Sequence, residues 1–224
     1  LDPDQIKIIQ EWAGYSLYRR YFIKKAIIFV GEPNTGKTTL ISMLKRDKNI
    51  VRVVSCTGRK PRKGEKEGED YYFLSEDDFK EKEKFIEMAV VHGFHYGTYK
   101  KEIENKLKSG KKVLWELDVQ GAETVLTSLK DIIKNPITIF ITTENMSTIV
   151  NRIKLKKDPN VEKRIESMKK EIKYLSLYNY IINTSKKLEE SYEDIRAIIY
   201  NNKEKIKEIE NYTKEFDVEK FLTS

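Results

Sequence analysis

The residues best suited to chemistry in this 224-residue chain are the eight at positions 31–38, which read GEPNTGKT and fit the pattern GxxxxGK[ST]. Small residues at this spacing let successive backbone N–H groups curl around a polyphosphate, and the lysine then reaches the β- and γ-phosphates. The threonine that ends the pattern can bind Mg²⁺ through its hydroxyl. We therefore expect a nucleoside triphosphate to bind here, with Thr38 as the metal ligand. The predicted contacts are Gly31, Asn34, Thr35, Gly36, Lys37, Thr38 and Thr39.

Two carboxylates form a second candidate group. Glu116 and Asp118 stand at alternate positions where the apolar run 112–117 ends, and side chains two apart on a strand share a face. Both would emerge at the carboxyl edge of a sheet, beside the phosphate loop, where a hydrated Mg²⁺ or a positively charged partner can meet them. The alternative is an acidic strand end that caps the next helix.

Short apolar runs predict the elements that hold these residues. The first run directly precedes the phosphate loop, and helical spacing follows it over 37–44. Charged, helix-like stretches separate the later runs, and the segment 188–210 predicts one long helix. This order predicts an α/β fold with a mostly parallel five-stranded sheet flanked by helices. The predicted strands are 26–30, 51–55, 112–117, 138–141 and 180–182.

Composition excludes collagen-like, membrane-spanning and disordered proteins. Hydrophobic residues make up 39%, charged residues 35%, and the mean hydropathy is −0.62, which is typical of a globular chain with a solvated surface. The longest apolar run, 26–30, is far shorter than the roughly 20 residues that span a bilayer, so we expect no membrane partner.

Cysteine usage and charge bear on location and partners. The single cysteine, Cys56, cannot form an internal disulfide, and the first residues show no secretory signal, so we expect a cytoplasmic protein. The net charge of +7 comes mostly from lysines interleaved with glutamates, which is typical of solvated helix faces. We therefore do not expect nucleic acid as a partner.

From residue 55 onward the chain resembles the guanylate kinase family. The similar segments are, in order, SCTGRKPR at 55–62 followed by Gly64 and Glu65, GEDYYF at 68–73, FIEMA at 85–89, HYGT at 95–98 and LDVQGA at 117–122. With the phosphate loop and a basic stretch after residue 150, the resemblance covers residues 25 to about 205. It implies a P-loop NTPase fold, and a nucleoside monophosphate kinase that moves the γ-phosphoryl group of MgATP to GMP.

The resemblance also implies roles for single residues. Arg59 and Arg62 would hold the GMP phosphate, because guanidinium forks suit bidentate contact with it. Glu87 would accept hydrogen bonds from guanine N1–H and the 2-amino group, and Asp118 would lie between the two nucleotides. The implied substrate-binding set is Ser55, Arg59, Arg62, Tyr71, Glu87, Tyr96, Thr98, Glu116 and Asp118. The implied catalytic set is Lys37, Arg59, Arg152, Arg164 and Asp118.

The stretch 151–173 resembles the lid of that family, in which Arg152 and Arg164 would contact the ATP phosphates. Lys156 stands where the family usually has arginine, so the charge is kept and the planar fork is lost. The predicted organisation is a helical extension at 1–24, a kinase core at 25–57, 112–150 and 174–210, a GMP-binding region at 58–111, the lid at 151–173 and a tail at 211–224.

Two other classes of function stay open. The first is a non-catalytic guanylate-kinase-like interaction domain, against which the intact Lys37 and Thr38 argue. The second is a P-loop ATPase acting on nucleic acid, because residues 9–40 are similar to the start of a phage or viral primase-helicase ATPase domain. The sequence allows either a monomer or a homodimer.

Overall fold

The computed structural model describes residues 26–31, 35–91, 93–128, 133, 135–155 and 161–224. The predicted extension at 1–24, Asn34 and Lys156 lie outside these residues. The strands are β1 (Ala26–Gly31), β2 (Ile50–Arg52), β3 (Cys56–Thr57), β4 (Tyr72–Phe73), β5 (Phe85–Val91), β6 (Phe94–Tyr99), β7 (Lys112–Glu116), β8 (Ile137–Thr142) and β9 (Tyr180–Asn183). The α-helices are α1 (Lys37–Leu44), α2 (Lys100–Lys108), α3 (Val119–Ser128), α4 (Met146–Leu155), α5 (Val161–Glu171), α6 (Leu188–Tyr200), α7 (Lys203–Glu215) and α8 (Val218–Thr223).

A five-stranded parallel sheet forms the centre of the fold, in the order β2-β7-β1-β8-β9. Neighbouring residues of its strands face opposite sides: Ile28 and Trp115 pack in one apolar cluster, and Phe29 and Leu114 pack in another. Helices cover a sheet of this kind on both faces, and its strands therefore read as continuous apolar runs. The predicted α/β fold with five mostly parallel strands is confirmed.

A second sheet, in the order β4-β3-β6-β5, lies within and just before the predicted GMP-binding region. Its main unit is the antiparallel pair of β5 and β6, in which Glu87 stands opposite Thr98. The buried residues Cys56, Phe79 and Phe85 form a separate small core beneath it. The strand predicted over 51–55 instead ends at Arg52, and the chain enters the second sheet at Cys56.

The C-terminal part differs from the sequence-based expectation in two ways. The single helix predicted over 188–210 is two helices, because Asn201 adopts a left-handed conformation with φ of 60° and ends α6. The Asn202 side chain then accepts a hydrogen bond from the backbone N–H of Lys205 and starts α7. The segment predicted as a tail, 211–224, is helical over most of its length: it completes α7 and forms α8, whose Phe221 is only 2% exposed.

Candidate functional site

The phosphate loop connects the end of β1 to the start of α1. Gly31 has φ of +150°, and a Cβ there would lie 2.2 Å from the carbonyl oxygen of Ile141 on β8, so the position requires glycine. The Lys37 ammonium donates a hydrogen bond to the Gly31 carbonyl over 2.7 Å. Thr35 is buried, and Thr38 is exposed in the first turn of α1. The lysine and the threonine hydroxyl thus lie at the helix start, where an anion is favoured.

Glu116, at the end of β7, lies between two cations. Its carboxylate is 3.8 Å from the Lys37 ammonium and 3.4 Å from the Arg52 guanidinium. Arg52 also donates to the backbone carbonyls of Glu69 and Asp70 over 3.1 and 3.0 Å. Arg52 therefore ties the phosphate loop, through Glu116, to the loop that leads into β4. Arg52 was not among the predicted site residues, although an arginine within the apolar run 50–54 is a signal that could have identified it.

Arg59 is held by Glu65. Two nearly parallel hydrogen bonds of 2.6 and 2.7 Å join the guanidinium to the Glu65 carboxylate, and Arg59 is only 8% exposed. Hydrogen bonding to Glu65 raises the pKa of Arg59, and the same bond lowers the pKa of Glu65. Glu65 also accepts from the backbone N–H of Arg62, whose side chain is exposed. Glu65 belongs to the first of the similar segments but was not among the predicted site residues.

Tyr71 connects the arginines. Its ring lies 5.0 Å from the Arg59 guanidinium carbon and 5.9 Å from that of Arg52, and its centroid is 6.2 Å from that of Tyr96. Burial, followed by the charge of Glu116, raises the pKa of Tyr71 to about 12. An unbroken set of contacts therefore runs from the Lys37 ammonium through Glu116, Arg52 and Tyr71 to Arg59. These contacts connect the two groups of residues that are predicted to bind phosphate.

A buried polar cluster lies on the β5–β6 pair. The Thr98 hydroxyl donates to the Glu87 carboxylate over 2.7 Å, and the Ser55 hydroxyl is 3.3 Å from that of Thr98. The indole N–H of Trp115 also reaches the Thr98 oxygen, over 3.1 Å. Glu87 is 5% exposed, and its burial raises the pKa to about 7, against the opposing effect of the Thr98 hydrogen bond. The structure thus brings together Glu87, which is expected to accept from guanine, and two other members of the implied substrate-binding set, Ser55 and Thr98.

Asp118 performs the helix-capping role that the sequence left open. Its carboxylate accepts from the backbone N–H of Gly121 over 2.9 Å, in the first turn of α3. Gly121 faces Glu87 closely, since a Cβ there would lie 3.0 Å from a Glu87 carboxylate oxygen. The charge of Asp118 also contributes, after burial, to the raised pKa of Glu87. Asp118 is therefore near this cluster of Ser55, Glu87, Thr98 and Trp115, which we call the base cluster. The position of Asp118 between two nucleotides stays a prediction.

Of the two predicted lid arginines, the structure describes the side chain of Arg152. Arg152, on α4, donates to the hydroxyl and the carbonyl of Thr184 over 3.3 and 2.9 Å. Arg164 belongs to α5, and its side chain is not among those that the structure describes.

In the described part of the chain, no group of three or more His, Cys, Asp or Glu side chains could hold a metal. No described helix has the length and apolar content to cross a bilayer.

Comparisons with known proteins agree with this arrangement. The family model described as guanylate kinase matches residues 23–202. A guanylate kinase of Clostridium tetani is 38% identical over 192 residues, covering 83% of this chain and 89% of the relative. A guanylate kinase of Fusobacterium nucleatum is 36% identical over 177 residues, covering 76% and 93%.

A solved structure is also similar to this chain. The crystal structure of guanylate kinase from Anaplasma phagocytophilum superimposes with a TM-score of 0.61 at 28% identity, covering 80% of this chain and 86% of that one. The matched residues include the phosphate loop and the base cluster described above. They also include Arg52, Arg59, Glu65 and Tyr71, which we call the arginine site. The chain belongs to the guanylate kinase family.

Proposed function

We propose that this chain transfers the γ-phosphoryl group of MgATP to GMP, giving ADP and GDP. The observation that carries the proposal is the set of contacts that joins Lys37 of the phosphate loop to Arg59 through Glu116, Arg52 and Tyr71. One end of this set suits a polyphosphate and the other suits a single phosphate group. Two phosphorylated substrates would then meet within one site.

The acceptor side would select and hold GMP. Arg59, oriented by Glu65, would contact the GMP phosphate together with Arg62 and the hydroxyls of Tyr71 and Tyr96. The buried Glu87 carboxylate would accept from guanine N1–H and the 2-amino group. Adenine has an acceptor at N1 and no 2-amino group, so it would leave this carboxylate poorly paired, which is costly in a buried site.

The donor side would hold the ATP phosphates. The Lys37 ammonium, which contacts the Gly31 carbonyl and lies near Glu116, would move to the β- and γ-phosphates. Thr38 is exposed beside Lys37 and offers the hydroxyl oxygen that Mg²⁺ prefers, so the residues present fit this ion. Bound Mg²⁺ would supply charge neutralisation on the phosphate oxygens. Arg152 and Arg164 would add positive charge from the lid.

Catalysis would depend on position and charge. A general base is not needed, since the attacking GMP phosphate oxygen is already anionic. The reaction requires the two phosphates in line and water kept out, because water would otherwise accept the phosphoryl group. We expect the GMP-binding region and the lid to close over the core when both nucleotides are bound.

An acceptor-dependence assay tests the proposal. ADP release would be measured with ATP and each of GMP, AMP, CMP and UMP, and GMP should be strongly preferred. Lys37→Ala should abolish turnover, whereas Lys45→Ala, which removes the same charge from an exposed residue after the end of α1, should not. Equal rates with AMP and GMP would refute the guanine assignment. ATP hydrolysis that DNA stimulates without GMP would favour the nucleic-acid ATPase instead.

A further inference from the structure

The base cluster contains a hydrogen bond between the two sheets that the proposed function does not use. Trp115 lies on β7 of the central sheet and is fully buried, and its indole N–H donates to the hydroxyl oxygen of Thr98 on β6 over 3.1 Å. Thr98 is also fully buried, and it donates in turn to the Glu87 carboxylate over 2.7 Å. A buried tryptophan therefore reaches the proposed base-reading carboxylate through one hydroxyl.

The hydrogen-bonding capacity of Thr98 sets the direction of each bond. A hydroxyl has one proton and two lone pairs, and an indole N–H is only a donor, so Trp115 occupies one lone pair of Thr98. The single proton of Thr98 lies on the 2.7 Å bond to Glu87. The Ser55 hydroxyl, 3.3 Å away, must then be the donor in its contact, and it fills the second lone pair. In this arrangement Thr98 accepts two hydrogen bonds, donates one, and has no lone pair left for a further donor.

We propose that Trp115 is a positioning residue for guanine recognition, whose indole N–H keeps the Thr98 hydroxyl donating and so keeps Glu87 as the acceptor. This inference rests on the proposed function. A protonated Glu87 could donate to Thr98 only if Thr98 turned its own proton to Ser55 over the longer 3.3 Å contact, so the arrangement in which Trp115 and Ser55 donate to Thr98 favours the ionised carboxylate. An ionised, oriented carboxylate is the group that guanine N1–H and the 2-amino group require. Without the indole N–H, Thr98 could turn and accept instead.

Removing the indole N–H tests the proposal, and a second buried aromatic residue controls for the loss of volume. In Trp115→Phe, the Kd for GMP measured by calorimetry should rise about three- to tenfold, as expected for one net buried hydrogen bond, while the kcat at saturating GMP and the KM for ATP stay unchanged. Phe140→Leu is the matched control, because Phe140 is a buried aromatic residue of the same apolar cluster. It should lower stability and leave the Kd for GMP unchanged.

A double-mutant cycle separates this role from simple packing. In a Thr98→Val background, Trp115→Phe should raise the Kd for GMP no further, since the hydroxyl that the indole orients is gone. The proposal would be overturned if Trp115→Phe raised the Kd for GMP equally with threonine and with valine at position 98. It would also be overturned if Trp115→Phe caused no rise in the chain that keeps Thr98. If the natural chain itself fails to phosphorylate GMP, the proposed function fails, which is a separate outcome.

A shape-preserving replacement keeps the test valid if Trp115→Phe does not fold. Trp12→Phe leaves Trp115 as the one tryptophan of the chain, and benzothienylalanine can then replace it biosynthetically, with sulfur in place of the indole N–H. Relative to Trp12→Phe alone, we expect the same rise in the Kd for GMP, about three- to tenfold, because about one hydrogen bond is lost. An unchanged Kd would overturn the proposal.

Discussion

Replacing Glu87 by glutamine should make the protein more stable and less active. Burial raises the pKa of Glu87 from 4.5 to about 7 in the folded state. The folded protein therefore binds this proton more tightly than the unfolded chain, and stability falls as the pH rises from about 4.5 to 7. At pH 8 the ionised carboxylate costs on the order of 3 kcal/mol of unfolding free energy, at 1.36 kcal/mol per pKa unit.

Glutamine removes the charge and keeps the shape, and its carbonyl can still accept from Thr98. The new NH₂ group needs a partner, so we expect a gain of about 1 to 3 kcal/mol at pH 8, or roughly 3 to 10 °C in Tm. The gain should disappear as the pH approaches 4.5, where the folded natural chain holds Glu87 protonated and only the cost of the NH₂ group remains. The kcat/KM for GMP should fall about a hundredfold, because two hydrogen bonds to a charged acceptor are lost.

Denaturant unfolding at pH 5, 6, 7 and 8 measures this effect, alongside GMP kinetics at pH 8. Glu83→Gln is the matched control, since Glu83 is exposed just before β5 and the same substitution there should not change the pH profile of stability. A gain from Glu87→Gln that does not grow between pH 5 and pH 8 would refute the assignment of a buried, ionised carboxylate. Unchanged GMP kinetics in the Glu87→Gln variant would refute the role of Glu87 in guanine recognition.

Three further predictions concern the arginine site and the C-terminal helices. Arg59→Lys should raise the KM for GMP about tenfold or more in steady-state assays, because lysine cannot form the paired bonds to Glu65; an unchanged KM would contradict the role of the fork. Asn201→Val should lower the unfolding free energy by about 1 to 2 kcal/mol, while Asn201→Gly should be nearly neutral, because only the first opposes a φ of 60°; urea unfolding of both variants decides this. Phe221→Ala should cost about 3 kcal/mol in the same assay with GMP kinetics unchanged, and a negligible loss would mean that α8 contributes little to the core.

The phosphate loop and the central sheet could be predicted because their signals are local. A fully buried parallel strand needs consecutive apolar residues, so each of the five strands appeared as a run, although the bounds moved by a few residues. The second sheet was harder to predict. Its strands β3 and β4 have two residues each, which is too short to show a period, and they form because Cys56 pairs with Tyr72 and Gly97.

Two features of the C-terminal part could not be predicted from local sequence. The segment 188–210 has continuous helical spacing, and the break at Asn201 depends on a single residue that tolerates the left-handed conformation. The burial of Phe221 had no local signal, because an isolated aromatic residue in a polar segment becomes core only when other elements cover it.

By itself, the sequence determined the residue types of the site and the fold that carries them: a lysine and a threonine after a glycine-rich turn, paired arginines and a glutamate in order along the chain. Tertiary structure alone decided which of them meet. Arg52 contacts Glu116 because β2 lies beside β7, and Trp115 contacts Thr98 because the two sheets approach there. Such contacts join residues dozens of positions apart or on separate sheets. Their geometry is fixed by packing and strand register, which no spacing within the sequence encodes.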